Sequence, residues 1–389
     1  MSPHMRSAAR VCMLSRLARP GLGDLVQRNI FLNLMRRAFP QARLTWIVGE
    51  RITASSVQDE LLRRHTWADE VVTCPDAEDH DAARWAGFVI GMADRRFDAC
   101  VLDPSNVGVN AQDVAGAGVP VRIGLPRGDG DDQFLTRPMR LSAPVFGRPD
   151  LYDYTVALAR ALGIEEPLAA AEIVPRLPLR VEPAPKFTER RPLVGIHPGG
   201  AKAWNRRWPL SSYIELCVRL VAEKDATIVV LGSADEADEV GRLRSAVLAR
   251  RASARVHPSV GSSLNSVANL IDRMDLLVGN DSSPAHIAAA LRTPTVVVYG
   301  PTGTEFLWAR IYPAHRGVNK RYPCQHRRLD PVDEAVPCAY ACPCAFVSSD
   351  GPYPRCLIDI SVDEVYEKVH AQLGPEPRAE LDPTPSSID

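Results

Sequence analysis

Three stretches of this 389-residue chain hold side chains suited to chemistry. The first, HPGGAKAWNRRWP over residues 197–209, follows a short apolar run. Gly199 and Gly200 let backbone amides approach an anion closely, and Lys202, Arg206 and Arg207 add positive charge beside them. That combination suits a diphosphate, the alternative being a plain strand-end turn with solvated cations. The second stretch is the loop 280–283, set between an apolar run at 275–279 and a small-residue helical run opened by Pro284. A further apolar run at 295–299 follows and ends in Gly300-Pro301-Thr302. Ser282, Ser283 and Thr302 bring hydroxyls for phosphate or ribose, and either Ser282 or Ser283 can cap the helix. The third is Gly232-Ser233 with Asp235 and Glu236, acids that can take ribose hydroxyls or simply begin a helix; Ser262 joins the same candidate set.

Strands and helices must position these turns, and the chain supplies them twice. Residues 11–14, 44–48, 70–73, 98–102 and 120–123 read as strands. The turn Gly21-Leu22-Gly23-Asp24 separates the first strand from a helix over 25–39, where Leu25, Val26, Ile30, Leu34 and Met35 recur at helical spacing. A surface loop over 129–149, acidic from Asp129 to Asp132 and then proline-rich, precedes a helix at 152–162 and is placed to frame an acceptor. The proline density of 166–192 breaks helices and central strands alike, which marks a linker. Strands at 193–197 and 227–231 and helices at 211–223, 235–250 and 264–273 then lead into the β-α-β unit of 275–299. The expectation is an α/β chain with a Rossmann-like domain at 1–165, the linker, and a second at 193–374. The second domain carries a cysteine-rich insert at 315–360 and a closing helix at 362–373, and a polar tail at 375–389 is too proline-rich to order. Ligands of open parallel sheets sit beyond the carboxyl ends of the strands, so 197–200, 280–283 and 300–303 should share one crevice.

Composition bounds the partners. With 46 basic and 47 acidic residues the net charge is -1, so nothing global steers the chain to nucleic acid or an anionic membrane. Residues 1–10 read as a polar leader without an apolar core, and no run reaches the roughly 18 apolar residues of a membrane span. The expected location is cytoplasmic, with cysteines reduced. Five of the nine cluster as Cys324, Cys338, Cys342, Cys344 and Cys356. Four of these suffice for a structural zinc or iron, free thiols or adventitious disulfides being the alternatives. Cys12, Cys74, Cys100 and Cys217 read as core. Gly21, Gly23 and Asp24 do not complete a G-x-G-x-x-G, position 26 being Val26, which argues against a dinucleotide dehydrogenase.

HPGG with RRWP, then GNDSSPAHIAAAL with VVVYGPT, and GLGD near the N-terminus together resemble the ADP-heptose-dependent heptosyltransferases, over residues 11–310 and the last helix. The resemblance implies a GT-B architecture, two facing Rossmann-like domains with a cleft between, and inverting heptose transfer from an ADP-sugar to an acceptor hydroxyl without a catalytic metal. Asp24 matches the family's proposed general base, a role compatible with capping the following helix. Arg206 stands where the family commonly has lysine beside the leaving diphosphate. Asp281 and His286 match the donor-site pair, with His197, Gly199, Gly200, Lys202, Arg207, Gly300 and Thr302 around the nucleotide. Gly21, Gly23 and Arg16 fall on the acceptor side, where Arg19 and Arg28 add charge. A branch of the family carries a four-cysteine iron site in the region of the cysteine cluster. The acceptor is left open among a lipopolysaccharide-core-like sugar, a protein and a small natural product, and an oligomer is compatible with the insert. The rival readings are another nucleotide sugar on the same fold and a non-catalytic nucleotide-sugar-binding protein.

Overall fold

The computed structural model describes residues 8–374 apart from 19, 80, 107, 145–148, 165–166, 169–172, 201–205, 302–303, 321, 323–344 and 349–350. In the first half β1 (Arg10–Ser15), α1 (Leu22–Ala38), β2 (Arg43–Gly49), α2 (Ser56–Arg64), β3 (Glu70–Cys74), α3 (Ala82–Asp94), β4 (Ala99–Leu102), α4 (Ala111–Gly116), β5 (Val121–Gly124) and β6 (Arg137–Pro138) alternate, followed by α5 (Leu151–Leu162). All strand pairs are parallel, in the order β3-β2-β1-β4-β5-β6. The second half repeats the plan with β7 (Leu193–His197), α6 (Leu210–Lys224), β8 (Thr227–Gly232), α7 (Ala237–Arg250), β9 (Val256–Val260), α8 (Leu264–Asp272), β10 (Leu276–Asn280), α9 (Ser283–Ala290), β11 (Thr295–Tyr299) and β12 (His315–Asn319). Its order, β9-β8-β7-β10-β11-β12, is the same arrangement, with the crevice of each sheet at the strand pair where the winding reverses. In the first half that pair is β1 and β4, and in the second β7 and β10. The helices and strands expected from apolar periodicity are all present.

The strands that periodicity missed lie mostly at sheet edges. β6 and β9 contain Pro138 and Pro258, and β12 is the polar run HRGVN. An edge strand has one open hydrogen-bonding side and needs no continuous apolar run, so proline and charge are tolerated there. β12 also places the first residues of the cysteine-rich stretch inside the second sheet. Beyond it lie the hairpin β13 (Ala345–Ser348) and β14 (Gly351–Pro354), α10 (Arg355–Ile358) and α11 (Val362–Leu373). α11 docks on the second half: Gln372 Nε2 donates to Ala314 O at 2.6 Å, and Tyr366 OH donates to Glu223 at 2.7 Å. The acidic loop is ordered by its own carboxylates. Asp131 accepts from the amides of Ala111 and Gln112 at the start of α4, and Asp132 accepts from Arg127 and Gly128. Those acids are therefore spent on the fold. Cys12, Cys74, Cys100 and Cys217 are all buried.

The two halves share a contact surface. α1 is buried on nearly every side, and α9 packs on it with Ala285, Ile287, Ala288 and Ala289. One hydrophobic cluster accordingly runs from Val11, Leu25 and Trp46 to Leu231, Val297 and Trp308. Polar contacts flank it. Glu60 of α2 caps α8, accepting from the amides of Leu264 (2.9 Å) and Asn265 (3.1 Å), where a carboxylate also complements the helix dipole. Arg310 donates to Asp150 (3.0 Å) and Asp153 (2.9 Å) at the start of α5 and lies over the Tyr152 ring. The proline-rich connection runs along α8, where Asn265 and Asn269 bond the backbone of Arg180 and Glu182. Among the described residues no helix is long and apolar enough to cross a membrane.

Candidate active site

The loops expected on the donor side are tied together by one buried side chain. Asn280, at the carboxyl end of β10, accepts through Oδ1 from Trp208 N and Tyr213 OH, both at 2.9 Å. Its Nδ2 donates to Pro198 O (2.7 Å) and Gly199 O (2.8 Å). All four hydrogen-bonding positions of the amide are filled, so the HPGG turn, the RRWP segment and the Asp281 loop are held in one geometry. Ser282 occupies the N-cap position of α9, yet its hydroxyl makes no cap bond: it donates to Asn280 O and stands 3.0 Å from His197 Nδ1. The expected serine cap is absent because the hydroxyl is used sideways, so Ser282 satisfies none of the first-turn amides of α9.

Glu236 lies over the glycine turn. Its carboxylate accepts from Gly200 N (2.9 Å), Ser233 N (2.9 Å), Ser233 Oγ (3.1 Å) and Arg207 Nη2 (3.3 Å), with His197 Nε2 at 3.6 Å. Burial opposes its charge, but His197 and the Ser233 and Gly200 amides prevail and hold the carboxyl down at about 2. The folded value lies below the ordinary 4.5, so this stabilisation is fully present above that pH and is lost as pH falls toward 2. Glu236→Gln should therefore remove a contribution on the order of 2 kcal/mol at neutral pH and flatten the acid limb of stability, which urea melts at neutral and acid pH will read. Arg207 is likewise committed, donating to Glu239 (2.8 Å) and Gly200 O (2.8 Å). Arg206, half-buried, bonds no described residue and is the better placed of the pair for a diphosphate. A Cβ on Gly199 would lie 2.0 Å from Glu236 Oε1, so only glycine fits there.

On the opposite side, Asp24 is exposed at the third position of α1, and its Oδ2 accepts from Gly21 N at 2.8 Å. The other carboxylate oxygen bonds no described residue. Behind it Asp103, at the end of β4 and fully buried, accepts from Ser15 Oγ (3.0 Å) and Arg28 Nε (3.1 Å), tying both strands of the first crevice to α1. Arg28 is thus a buried structural cation. Arg16 is buried too, its guanidinium donating to the carbonyls of Pro75 (2.9 Å), Asp76 (2.6 Å), Asp79 (3.2 Å) and Gly108 (3.0 Å) and lying 4.5 Å from the Trp85 ring centroid. An acceptor would compete with four carbonyls for it. Gly23 serves a different contact from the expected one: a Cβ there would meet His286 Cδ2 at 2.5 Å, so glycine admits the imidazole against α1.

His286 is where the halves meet. Its Nδ1 is 3.1 Å from Gln27 Nε2 and 3.3 Å from Tyr312 OH, and its ring meets Trp308 at 4.6 Å in an edge contact. Burial pushes the imidazole below the usual histidine range, against the pull of the Asp281 and Asp24 carboxylates. Both carboxylates therefore lie close enough to the buried ring to act on its charge.

Gln27, Tyr213, Trp308 and Tyr312 were absent from the residue set read from sequence, whereas Asn280 and Trp208 lay within stretches it singled out without a role of their own. Tyr213 and Tyr312 reach the site through their hydroxyls, Trp208 through its backbone amide and Trp308 through its ring. Asn280 carried a signal, an amide ending an apolar strand. Of the expected set, Gly232 ends β8, Gly300 is buried just after β11, and Ser262 is exposed beyond β9 with its hydroxyl 3.4 Å from Ser259 Oγ. Lys202, Thr302, Cys324, Cys338, Cys342 and Cys344 lie outside the described residues. Cys356 is buried in α10, and among the described residues no group of three or more His, Cys, Asp or Glu could hold a metal ion.

A family model described as glycosyltransferase family 9 (heptosyltransferase) matches residues 95–331. Lipopolysaccharide heptosyltransferase 2 of Salmonella typhimurium is 27% identical over 190 residues, covering 49% of this chain and 49% of that protein. Lipooligosaccharide heptosyltransferase 2 of Haemophilus influenzae is 30% identical over 176 residues, covering 41% of this chain and 51% of that one. The chain thus spans about half the length of the curated relatives it matches. Among solved structures, the E. coli ADP-heptose lps heptosyltransferase II superposes with a TM-score of 0.61 at 20% identity, covering 94% of this chain and 98% of that one. The glycosyl transferase family 9 protein of Veillonella parvula gives 0.63 at 16% identity, covering 95% and 98%. At such identities the likeness speaks to the fold, a GT-B pair of Rossmann-like sheets.

Proposed function

The chain belongs to glycosyltransferase family 9 (heptosyltransferase), and from that premise we propose that it transfers a heptose from ADP-heptose, with inversion, to an acceptor hydroxyl. The observation that carries the proposal is the packing of α1 on α9, which brings Asp24 and the Asp281 loop to the same histidine. In this reading Asp24 takes the proton as the acceptor oxygen attacks the anomeric carbon, the carbon–oxygen bond to the diphosphate breaks, and ADP leaves. Arg206 and the uncapped amides of α9 stabilise the charge that develops on it. Glu236, its oxygens already engaged, acts chiefly by holding the Gly199-Gly200 turn in shape for the nucleotide. The curated relatives' names favour a lipopolysaccharide-core-type sugar as acceptor.

We place the reaction in the cytoplasm, a setting that fits Cys12 and Cys100, which face each other across β1 and β4 as thiols. A structural zinc or iron held by four of the five clustered cysteines is part of the proposal, and elemental analysis of the purified protein tests it. The donor is tested by thermal shift with ADP, UDP, GDP and NAD. ADP alone should stabilise, by about 2.7 kcal/mol at a hundred times its Kd. Stabilisation by UDP or GDP instead would discard the ADP-sugar, and silence to all four would favour a protein that binds no nucleotide.

A further inference from the structure

Asp24 and His286 are two potential bases at the same cleft, and the proposed reaction needs one. The geometry at His286 decides between them. Its Nδ1 faces the amide nitrogen of Gln27 at 3.1 Å and the hydroxyl of Tyr312 at 3.3 Å. An amide nitrogen only donates, so Nδ1 must accept, and the proton of the neutral ring then resides on Nε2. No described residue bonds Nε2, although His286 is only 7% exposed. The N–H is turned to the start of α1, since a Cβ placed on Gly23 would lie 3.2 Å from it. Gln27 from α1 and Tyr312 and Trp308 from the segment after β11 contact the ring, and the charges of Asp24 on α1, Asp281 in the loop before α9 and His315 on β12 act on it.

We propose that Gln27 is a positioning residue for the transfer: together with Tyr312 it locks His286 as the neutral Nε2–H tautomer, a hydrogen-bond donor to the sugar or diphosphate oxygens between Asp24 and Asp281. The lock removes the only basic lone pair of the imidazole from the cleft, which leaves Asp24 as the group that takes the acceptor proton. Gln27 stands one position short of a full turn beyond Asp24 on α1, whereas His286 belongs to the donor half. The tautomer is therefore set only when the halves are packed together, and the donor site is completed by a residue of the acceptor side. This inference rests on the heptosyl-transfer reading for its consequence, but not for its geometry.

Nitrogen-15 NMR of the whole protein reads the tautomer directly, with His286 assigned by comparison with His286→Gln. The wild type should show Nε2–H with an unprotonated Nδ1. Gln27→Glu, the same shape with acceptors only, should move a proton to Nδ1. It should also lower kcat by about tenfold or more while KM for the donor changes by less than about twofold. Gln27→Leu is the second variant should the glutamate fail to fold, and it should lower kcat while loosening the tautomer preference. Nδ1–H in the wild type would overturn the proposal, and so would Gln27→Glu with both tautomer and kcat unchanged. A wrong donor sugar would leave the NMR result standing, so the two failures are distinguishable.

Discussion

Asp24→Asn is expected to lower kcat for heptose transfer by about a hundredfold to ten-thousandfold while leaving ADP affinity within about twofold. The substitution keeps the capping contact, because an asparagine oxygen can still accept from Gly21 N, which Asp24 meets at 2.8 Å. Folding is thus preserved and only proton acceptance is lost. The second carboxylate oxygen, which bonds no described residue, is the one available to the acceptor hydroxyl. ADP binds in this scheme to the second half, through the HPGG turn, Arg206 and the first turn of α9, and among the described residues none of these hydrogen-bonds the Asp24 side chain, so its affinity should not move. Initial rates of ADP release and calorimetric titration of ADP give the two readings. A loss of less than about tenfold in kcat would mean that the proton goes elsewhere.

Asn280→Ala should cost about 3 kcal/mol of stability and weaken ADP binding by at least about tenfold. The side chain fills four hydrogen-bonding positions, and its removal strands Trp208 N–H, Tyr213 O–H and the carbonyls of Pro198 and Gly199 in a site where Asn280 is 1% exposed. Each unsatisfied buried group costs roughly 1–3 kcal/mol before relaxation, and water entering the space recovers part of that. Asn280→Asp is the sharper test, since it preserves the two acceptor contacts and turns an oxygen against the two carbonyls. If the amide's role is donation to Pro198 and Gly199, aspartate should do no better than alanine in donor affinity. Denaturant melts and ADP titration on both variants check this, and an aspartate variant that binds ADP like the wild type would remove Asn280 from the donor site.

Much of this architecture was legible in the sequence because central parallel strands need apolar residues on both faces. The runs at 193–197, 275–279 and 295–299 stand out for that reason, and the turns after them follow from topology. The edge strands were not legible, since β9 and β12 carry the proline, charge and glycine that an edge permits. Site chemistry divided the same way. Asp24, His197, Gly199, Asp281 and His286 stood out as candidates by their types and positions. Arg16, Arg28 and Arg207 were visible too, but a sequence cannot say whether a cation faces a ligand or a buried carbonyl or carboxylate. All three turned inward. Gln27 was hidden inside a helix read only through its apolar spacing, when that helix has another helix packed on it.

The packing of α9 on α1 also bears on how the protein comes apart. Because one apolar cluster runs through both sheets, each half loses part of its core when the other melts, although a further cluster lies wholly within each half. Heating should give a single cooperative transition by calorimetry, with ADP shifting the whole of it although in this scheme ADP contacts one half. A gene fragment ending near residue 165 would leave the outer face of α1, with Leu25 and Ile30 beneath it, open to solvent, and should be recovered mainly as aggregate. The two sheets repeat one topology, yet they are expected to unfold as a unit.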